Sequence, residues 1–447
     1  MSEQENKMGV MPINSLLLSM AVPIMISMLV QALYNIVDSI FVAKVSENAF
    51  TAVSLAFPIQ SLMIAVATGT GVGINALLSR GLGEKKQEFV DKIANHAVIL
   101  AIFSAILFMV LGLVGARFFF AAQTDIAEIV DGGTKYLTIV CICSLPLFLQ
   151  VTFERTLQAT GRTLYSMMSQ GLGAIINIIL DPIFIFGLLG MPKLGIAGAA
   201  LATIIGQTGG MLIGLYLNVK KNPEIHFSFK QLCPDFIIIK RIYAIGIPSI
   251  VMSSLMSVTT FSLNRILIGF STTATNVLGA YYKLQSFIFM PVFGLNNAMI
   301  PIIGYNYGAR KKDRIFKTVK LSAMYAVGIM LTGLTVFELF PHILLRMFNP
   351  SDMMLEIGVP ALRIICISFI FAGFCIVCSS MFQALGVSMY SLILSVCRQL
   401  VVLVPAAYLL SKLGDVNLVW WAFPIAEVMS VVCCIFFLRK IVKLLDF

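Results

Sequence analysis

Gln158-Ala159-Thr160-Gly161-Arg162-Thr163-Leu164-Tyr165 returns 225 residues later as Gln383-Ala384-Leu385-Gly386-Val387-Ser388-Met389-Tyr390, with the Gln-Ala pair, the glycine and the tyrosine in register. The same offset carries Pro23 onto Pro248, Gln60-Ser61 onto Gln285-Ser286, Gly69 onto Gly294, and Gly83 with its basic neighbours onto Gly308 with its own. A fixed offset over most of a chain marks an internal duplication. What is duplicated follows from the hydropathy between these markers.

Hydrophobic residues make up 59% of the 447 and charged residues 12%, with a mean hydropathy of +0.95. Soluble domains carry about 25% charged residues, so this is a polytopic membrane protein. Apolar stretches of membrane-spanning length start near residues 14, 49, 92, 134, 163, 194, 242, 276, 316, 357, 388 and 416, which predicts twelve helices in two repeats of six. The first, from Ile13 to Val45, is too long for the apolar core of a signal peptide and is expected to remain as a spanning helix. An even number of helices per repeat gives both halves the same topology, so the fold class is an all-α membrane bundle of two parallel repeats. The expected divisions are an N-terminal lobe over 1–217, a linker over 218–240 and a C-terminal lobe over 241–447.

The formal net charge of +10 raises the question of an anionic partner. The basic residues cluster in alternate loops: Arg80, Lys85, Lys86 and Lys92; Lys220, Lys221, Lys230, Lys240 and Arg241; Arg310, Lys311, Lys312, Arg314, Lys317 and Lys320; and Arg439, Lys440 and Lys443. That is the positive-inside pattern. It places the linker and both termini in the cytoplasm of a cell-membrane protein and accounts for the charge without nucleic acid. The nine cysteines lie almost entirely in apolar segments, and Cys375-x-x-Cys378 has no second pair nearby, so they read as small buried hydrophobes.

Against this apolar background Asp38 and Asp181 stand out, each the single charge of a spanning segment. A carboxylate at mid-membrane costs roughly 2.5–3.5 kcal/mol on insertion scales and marks an ion, proton or substrate site by default. In Gln31-Ala-Leu-Tyr34-Asn35-Ile-Val-Asp38, Tyr34 and Asp38 are one turn apart on a shared face, and Asn177-x-x-x-Asp181-Pro182 repeats that spacing. Pro182 deprives the Ile178 carbonyl of its helical partner and is expected to bend the helix. Thr203 follows a run of small residues, Gly195 to Ala202, that lets helices approach closely. Converging, these faces offer oxygen ligands suited to Na⁺ and a pair of carboxylates able to share a proton, so either ion could be the coupling ion. At the 225-residue offset Asp38 falls on Leu263 and Asp181 on Ala406, so the site belongs to the first half.

With these motifs the chain resembles the multidrug and toxic compound extrusion (MATE) family, in its DinF/MepA-like branch. The resemblance rests on twelve helices in two parallel halves, the paired Pro23 and Pro248, the two Q-A-x-G turns, the Tyr34/Asp38 and Asn177/Asp181-Pro182 spacings, and Gly198-Ala-Ala-Leu-Ala-Thr203. It implies a cation site in the N-terminal lobe formed by Tyr34, Asp38, Asn177, Asp181 and Thr203, where ion binding bends the first helix and displaces drug. If sodium is the ion, Asp38 and Asp181 are its charged ligands. Other branches carry an acidic residue shortly after the motif matching Gly246-Ile-Pro248, where this chain has Met252 and Met256.

The expected activity is ion-coupled antiport of small amphipathic, often cationic, organic compounds across the lipid bilayer by a functional monomer, with H⁺ or Na⁺ as coupling ion and no organic cofactor. No Walker G-x-x-x-x-G-K-[ST] is present, so ATP is not the direct energy source. No nucleophile–base pair points to an enzyme. A lipid-linked precursor flippase is the alternative, although the resemblance gives such proteins a cationic N-terminal cavity. Substrate contacts are expected at Asp38, Gln31, Met256, Phe287 and Met290. Arg398 and Glu427, each about ten residues into its helix, fall at mid-membrane and suit an intramembrane ion pair.

Overall fold

The computed structural model describes residues 6–228, 234–348 and 350–444; Lys230 and Cys233 lie outside them. The described residues form helices joined by short turns: α1 (Lys7–Val10), α2 (Ile13–Ala43), α3 (Glu47–Gly83), α4 (Gln87–Ala121), α5 (Ala127–Ile142), α6 (Leu145–Ala159), α7 (Thr163–Phe186), α8 (Ile196–Lys221), α9 (Phe236–Leu267), α10 (Thr272–Gly308), α11 (Lys312–Leu339), α12 (Pro341–Arg346), α13 (Asp352–Cys366), α14 (Phe369–Ala384), α15 (Ser388–Val396), α16 (Val404–Ser411), α17 (Val416–Val419) and α18 (Ala422–Leu444). A π-helical segment, Cys397–Leu403, joins α15 to α16.

Among the described residues ten helical stretches are long and apolar enough to cross a membrane, with α15, the π-helical segment and α16 counted as one and α17 with α18 as another; twelve spans result when the pairs α5/α6 and α13/α14 each count as one. Those two spans, read as continuous from the sequence, are broken by 46° and 48°. Each break occurs at a short non-helical link at Ser144 or Ser368; Ser144 Oγ donates to the Ala105 carbonyl on α4 at 3.3 Å, and Ser368 Oγ to the Ile365 carbonyl one turn back at 2.6 Å. Helix α7, by contrast, runs unbroken through Pro182.

The duplication extends to the finest backbone detail. Gly161 and Gly386 close the two matching turns at φ 82° and 80°, the left-handed region open to glycine. Lys85 and Arg310, also 225 apart, are both at φ 55°. Ser46 and Ser271 cap α3 and α10 by accepting from the backbone N–H of Ala49 and Ala274.

The chain divides into two compact units. The first takes Asn6, Lys7 and Ile26–Ile250; the second takes Met8–Met25 and the residues from Val251 onward. Helices α2 and α9 therefore each change unit two residues beyond Pro23 and Pro248. The first unit packs Phe108, Phe120, Tyr136, Phe148 and Ile185 into one core cluster. The second is centred on Tyr281, Phe337 and Phe369, whose rings meet edge to face at 6.5 and 5.2 Å. There Arg314 Nη2 donates to the carbonyls of Met8 and Met11 at 3.0 and 2.7 Å, tying the N-terminal segment down.

Candidate cation and substrate site

The site is built on a seam of small residues between α7 and α8. A Cβ on Gly206 would come within 2.7 Å of the Gly173 carbonyl oxygen, and one on Gly173 within 2.9 Å of the Gly206 oxygen. Gly198 sits equally close to the Phe184 carbonyl, at 2.5 Å. Ser169 Oγ donates to the Gly210 carbonyl at 2.7 Å and locks the register. This approach, closer than any larger residue permits, brings Asn177 and Asp181 of α7 beside Thr203 of α8. The seam runs further than the small residues preceding Thr203 suggest.

Asp181 is fully buried and Asn177 nearly so. With its amide nitrogen facing the carboxylate, Asn177 donates to Asp181 Oδ2 at 3.2 Å while its oxygen accepts from the Thr203 backbone N–H at 3.1 Å. Helix α2 supplies Tyr34 and Asp38. They line a cavity of 460 Å³ together with Asn35, Ser54, Gln60, Tyr136, Thr203 and Gln207. Asp38 and Asp181 act on one another electrostatically, and the Tyr34 and Tyr136 phenols sit in the field of both. Asp38 Oδ1 is a buried oxygen with no hydrogen-bond partner among the described residues. An unsatisfied carboxylate oxygen in low dielectric is a place for a proton or a cation.

All five residues expected to bind the ion are thus gathered in the first unit: Tyr34, Asp38 and Thr203 on the cavity wall, with Asn177 and Asp181 behind it. Gln31 is set apart from the wall, its Oε1 accepting from Gln170 Nε2 at 2.9 Å. Met256, Phe287 and Met290 belong to the second unit, where Met256 and Phe287 are exposed.

Several polar residues escape sequence reading. Gln60 Nε2 donates to the Tyr136 hydroxyl at 2.9 Å across the cavity wall, and Gln207 lies one turn beyond Thr203, a spacing that could have flagged it. Glu154 on α6 is 7% exposed and accepts from Gln150 at 3.0 Å, a buried carboxylate of this unit in addition to Asp181. Its neighbour Arg155 hides it from a search for lone charges.

Membrane-length helices enclosing a carboxylate-lined cavity place the chain among multi-span membrane transporters. More narrowly, it belongs to the MatE family, whose model matches residues 23–183 and 248–409, one block in each half. The chain is similar to the multidrug export protein MepA of Staphylococcus haemolyticus (strain JCSC1435), 29% identical over 416 residues that cover 91% of this chain and 89% of that protein. It is likewise similar to the multidrug export protein MepA of Staphylococcus aureus (strain MRSA252), 26% identical over 428 residues covering 93% and 91%. A solved structure described as the outward-facing conformation of a multidrug resistance MATE family transporter of the MOP superfamily matches with a TM-score of 0.93 and 25% identity, over 100% of this chain and 99% of that one.

Proposed function

We propose that the protein is an ion-coupled secondary exporter of small amphipathic, often cationic, organic compounds, in which the coupling ion and the substrate exclude one another at Asp38. The observation that carries this reading is the Asp38 carboxylate, on the wall of a 460 Å³ cavity with one oxygen unsatisfied. An organic cation gains from that charge only while no proton or metal cation neutralises it. The multidrug export named for its relatives supports the substrate class.

In this reading Asp38 faces the substrate and Asp181, held by Asn177, sets the field behind it. Two carboxylates that act on one another in low dielectric can hold one proton between them. If the ion is Na⁺, the carboxylates of Asp38 and Asp181 and the oxygens of Tyr34, Asn177 and Thr203 supply hard donors of the type it prefers. Exchange follows from linkage: ion binding weakens substrate binding and the reverse by the same factor. The cation site lies in an N-terminal lobe over 1–217, joined through a cytoplasmic linker over 218–240 to a C-terminal lobe over 241–447. The chain works as a monomer in the cell membrane with both termini in the cytoplasm, alternating between inward- and outward-open states.

The test is efflux of a fluorescent organic cation from proteoliposomes under a pH gradient or a sodium gradient imposed separately. One gradient drives efflux if the reading holds. Equal rates with and without either gradient contradict it.

A further inference from the structure

The second unit contains a charged pair that cation export through Asp38 does not use. Arg398 Nη1 donates to Glu427 Oε1 at 3.1 Å, with the guanidinium side chain 27% and the carboxylate side chain 12% exposed. Arg398 stands on the π-helical segment Cys397–Leu403. Pro405, at the start of α16, has no N–H to return to Val401. The preceding turn opens instead, so that the Val404 N–H reaches back five residues to the Gln399 carbonyl. Gln399 accepts from Thr259 Oγ1 at 2.9 Å and anchors the widened turn to α9.

Such a pair stabilises a membrane helix bundle only when its remaining donors and acceptors are also satisfied. Here they are not. Glu427 Oε2 is buried without a partner, and among the described residues the bond to Glu427 is the hydrogen bond that Arg398 makes. Nη1 is the occupied corner, which leaves the Nε–H and Nη2–H edge of the guanidinium. That edge is the fork that takes a carboxylate through two parallel hydrogen bonds. The part-exposed side chain offers it to a ligand.

We propose that Arg398 forms an anion subsite for the carboxylate of amphipathic substrates, with Glu427 as the positioning residue that fixes the guanidinium. This rests on the export reading above and adds a substrate class to it. The charge balance narrows that class. A simple anion would leave Arg398, Glu427 and the ligand with one net negative charge in a low-dielectric environment, which is strongly disfavoured. A zwitterion carries its own cation and leaves none. The subsite therefore selects zwitterions that combine an organic cation with a carboxylate.

The test compares rhodamine B, a zwitterion with a free carboxylate, with its methyl ester, which differs by the loss of that anion. Both are assayed in the same proteoliposomes containing wild-type protein, Arg398→Gln, or the double variant Arg398→Met with Glu427→Met. The double variant replaces the pair by apolar side chains and guards against failure to fold, since such replacements are often neutral in stability. Ester efflux by the wild type reads the export function separately. The subsite predicts that both variants export the ester within about two-fold of wild type and lose at least about ten-fold in rhodamine B efflux, the loss expected for hydrogen bonds between charged groups. A wild type that exports the ester and leaves rhodamine B in place overturns the proposal. So does a double variant whose rates for the two dyes fall together or stay unchanged.

Discussion

Asn177 holds Asp181 from one helical turn away, its amide donating to Oδ2 at 3.2 Å and its oxygen accepting from the backbone of Thr203. The amide thus joins α7 to α8 at the depth of the acidic pair. Replacing Asn177 by Ala leaves the buried Asp181 carboxylate without this donor, at about 1–3 kcal/mol. The expected outcome for Asn177→Ala is a fall of about ten-fold or more in cation efflux, together with a lower melting temperature in detergent. Efflux and thermal unfolding of the same preparation check both parts.

The glycine seam makes a steric prediction. A side chain at Gly206 meets the Gly173 carbonyl oxygen and, at 3.0 Å, the Asn177 Cβ, whereas a Cβ at Gly171 meets nothing within 4 Å. Gly206→Val should therefore separate α7 from α8 and reduce the yield of folded protein, with overpacking of about 1–3 kcal/mol or more. Gly171→Ala should behave as wild type. Size-exclusion profiles of the two purified variants distinguish these outcomes.

The matched turns predict matched costs. Gly161 and Gly386 sit at nearly the same positive φ, so Gly161→Ala and Gly386→Ala should each destabilise the fold by about 1–2 kcal/mol. Chemical denaturation of the two single variants measures this. Very different losses would show that the two turns have diverged in what they support.

Glu84, in the turn after α3, gives a pH prediction outside the spanning segments. Burial opposes its ionisation, but hydrogen bonds from Lys86 Nζ at 2.7 Å and Arg80 Nε at 2.8 Å outweigh burial and hold the carboxyl below its ordinary value of 4.5. Because the folded value is the lower one, the stabilisation is fully present above 4.5 and is lost as pH falls through the folded value. Glu84→Gln should lower stability at pH 7 by about 0.2–1 kcal/mol. The gap from wild type should close in the acid range when melting temperatures are compared across pH.

What the sequence disclosed and what it concealed differ in physical kind. Asp38 and Asp181 were legible because a charge in an apolar helix is anomalous whatever surrounds it. The duplication was legible because turns such as Gly161 and Gly386 need a particular residue for local backbone reasons. Gln60 and Tyr136, by contrast, are ordinary polar residues until α3 and α5 bring them within 2.9 Å. Glu154 was concealed by Arg155 beside it. The ion pair of Arg398 with Glu427 follows from depth alone, but the π-helical turn that carries Arg398 depends on how Pro405 is accommodated, which periodicity does not report. The α5/α6 and α13/α14 pairs each read as one span because the single serines at the breaks, Ser144 and Ser368, do not interrupt the apolar run around them.

The most direct test of competition at Asp38 is the affinity of purified protein for a fluorescent organic cation, measured as pH and sodium concentration are varied independently, for wild type and Asp38→Asn. The wild type should bind dye more weakly as the coupling ion is raised, and the variant should bind weakly with no dependence on that ion. Ion dependence retained unchanged in Asp38→Asn would contradict the account and move the coupling site away from this carboxylate.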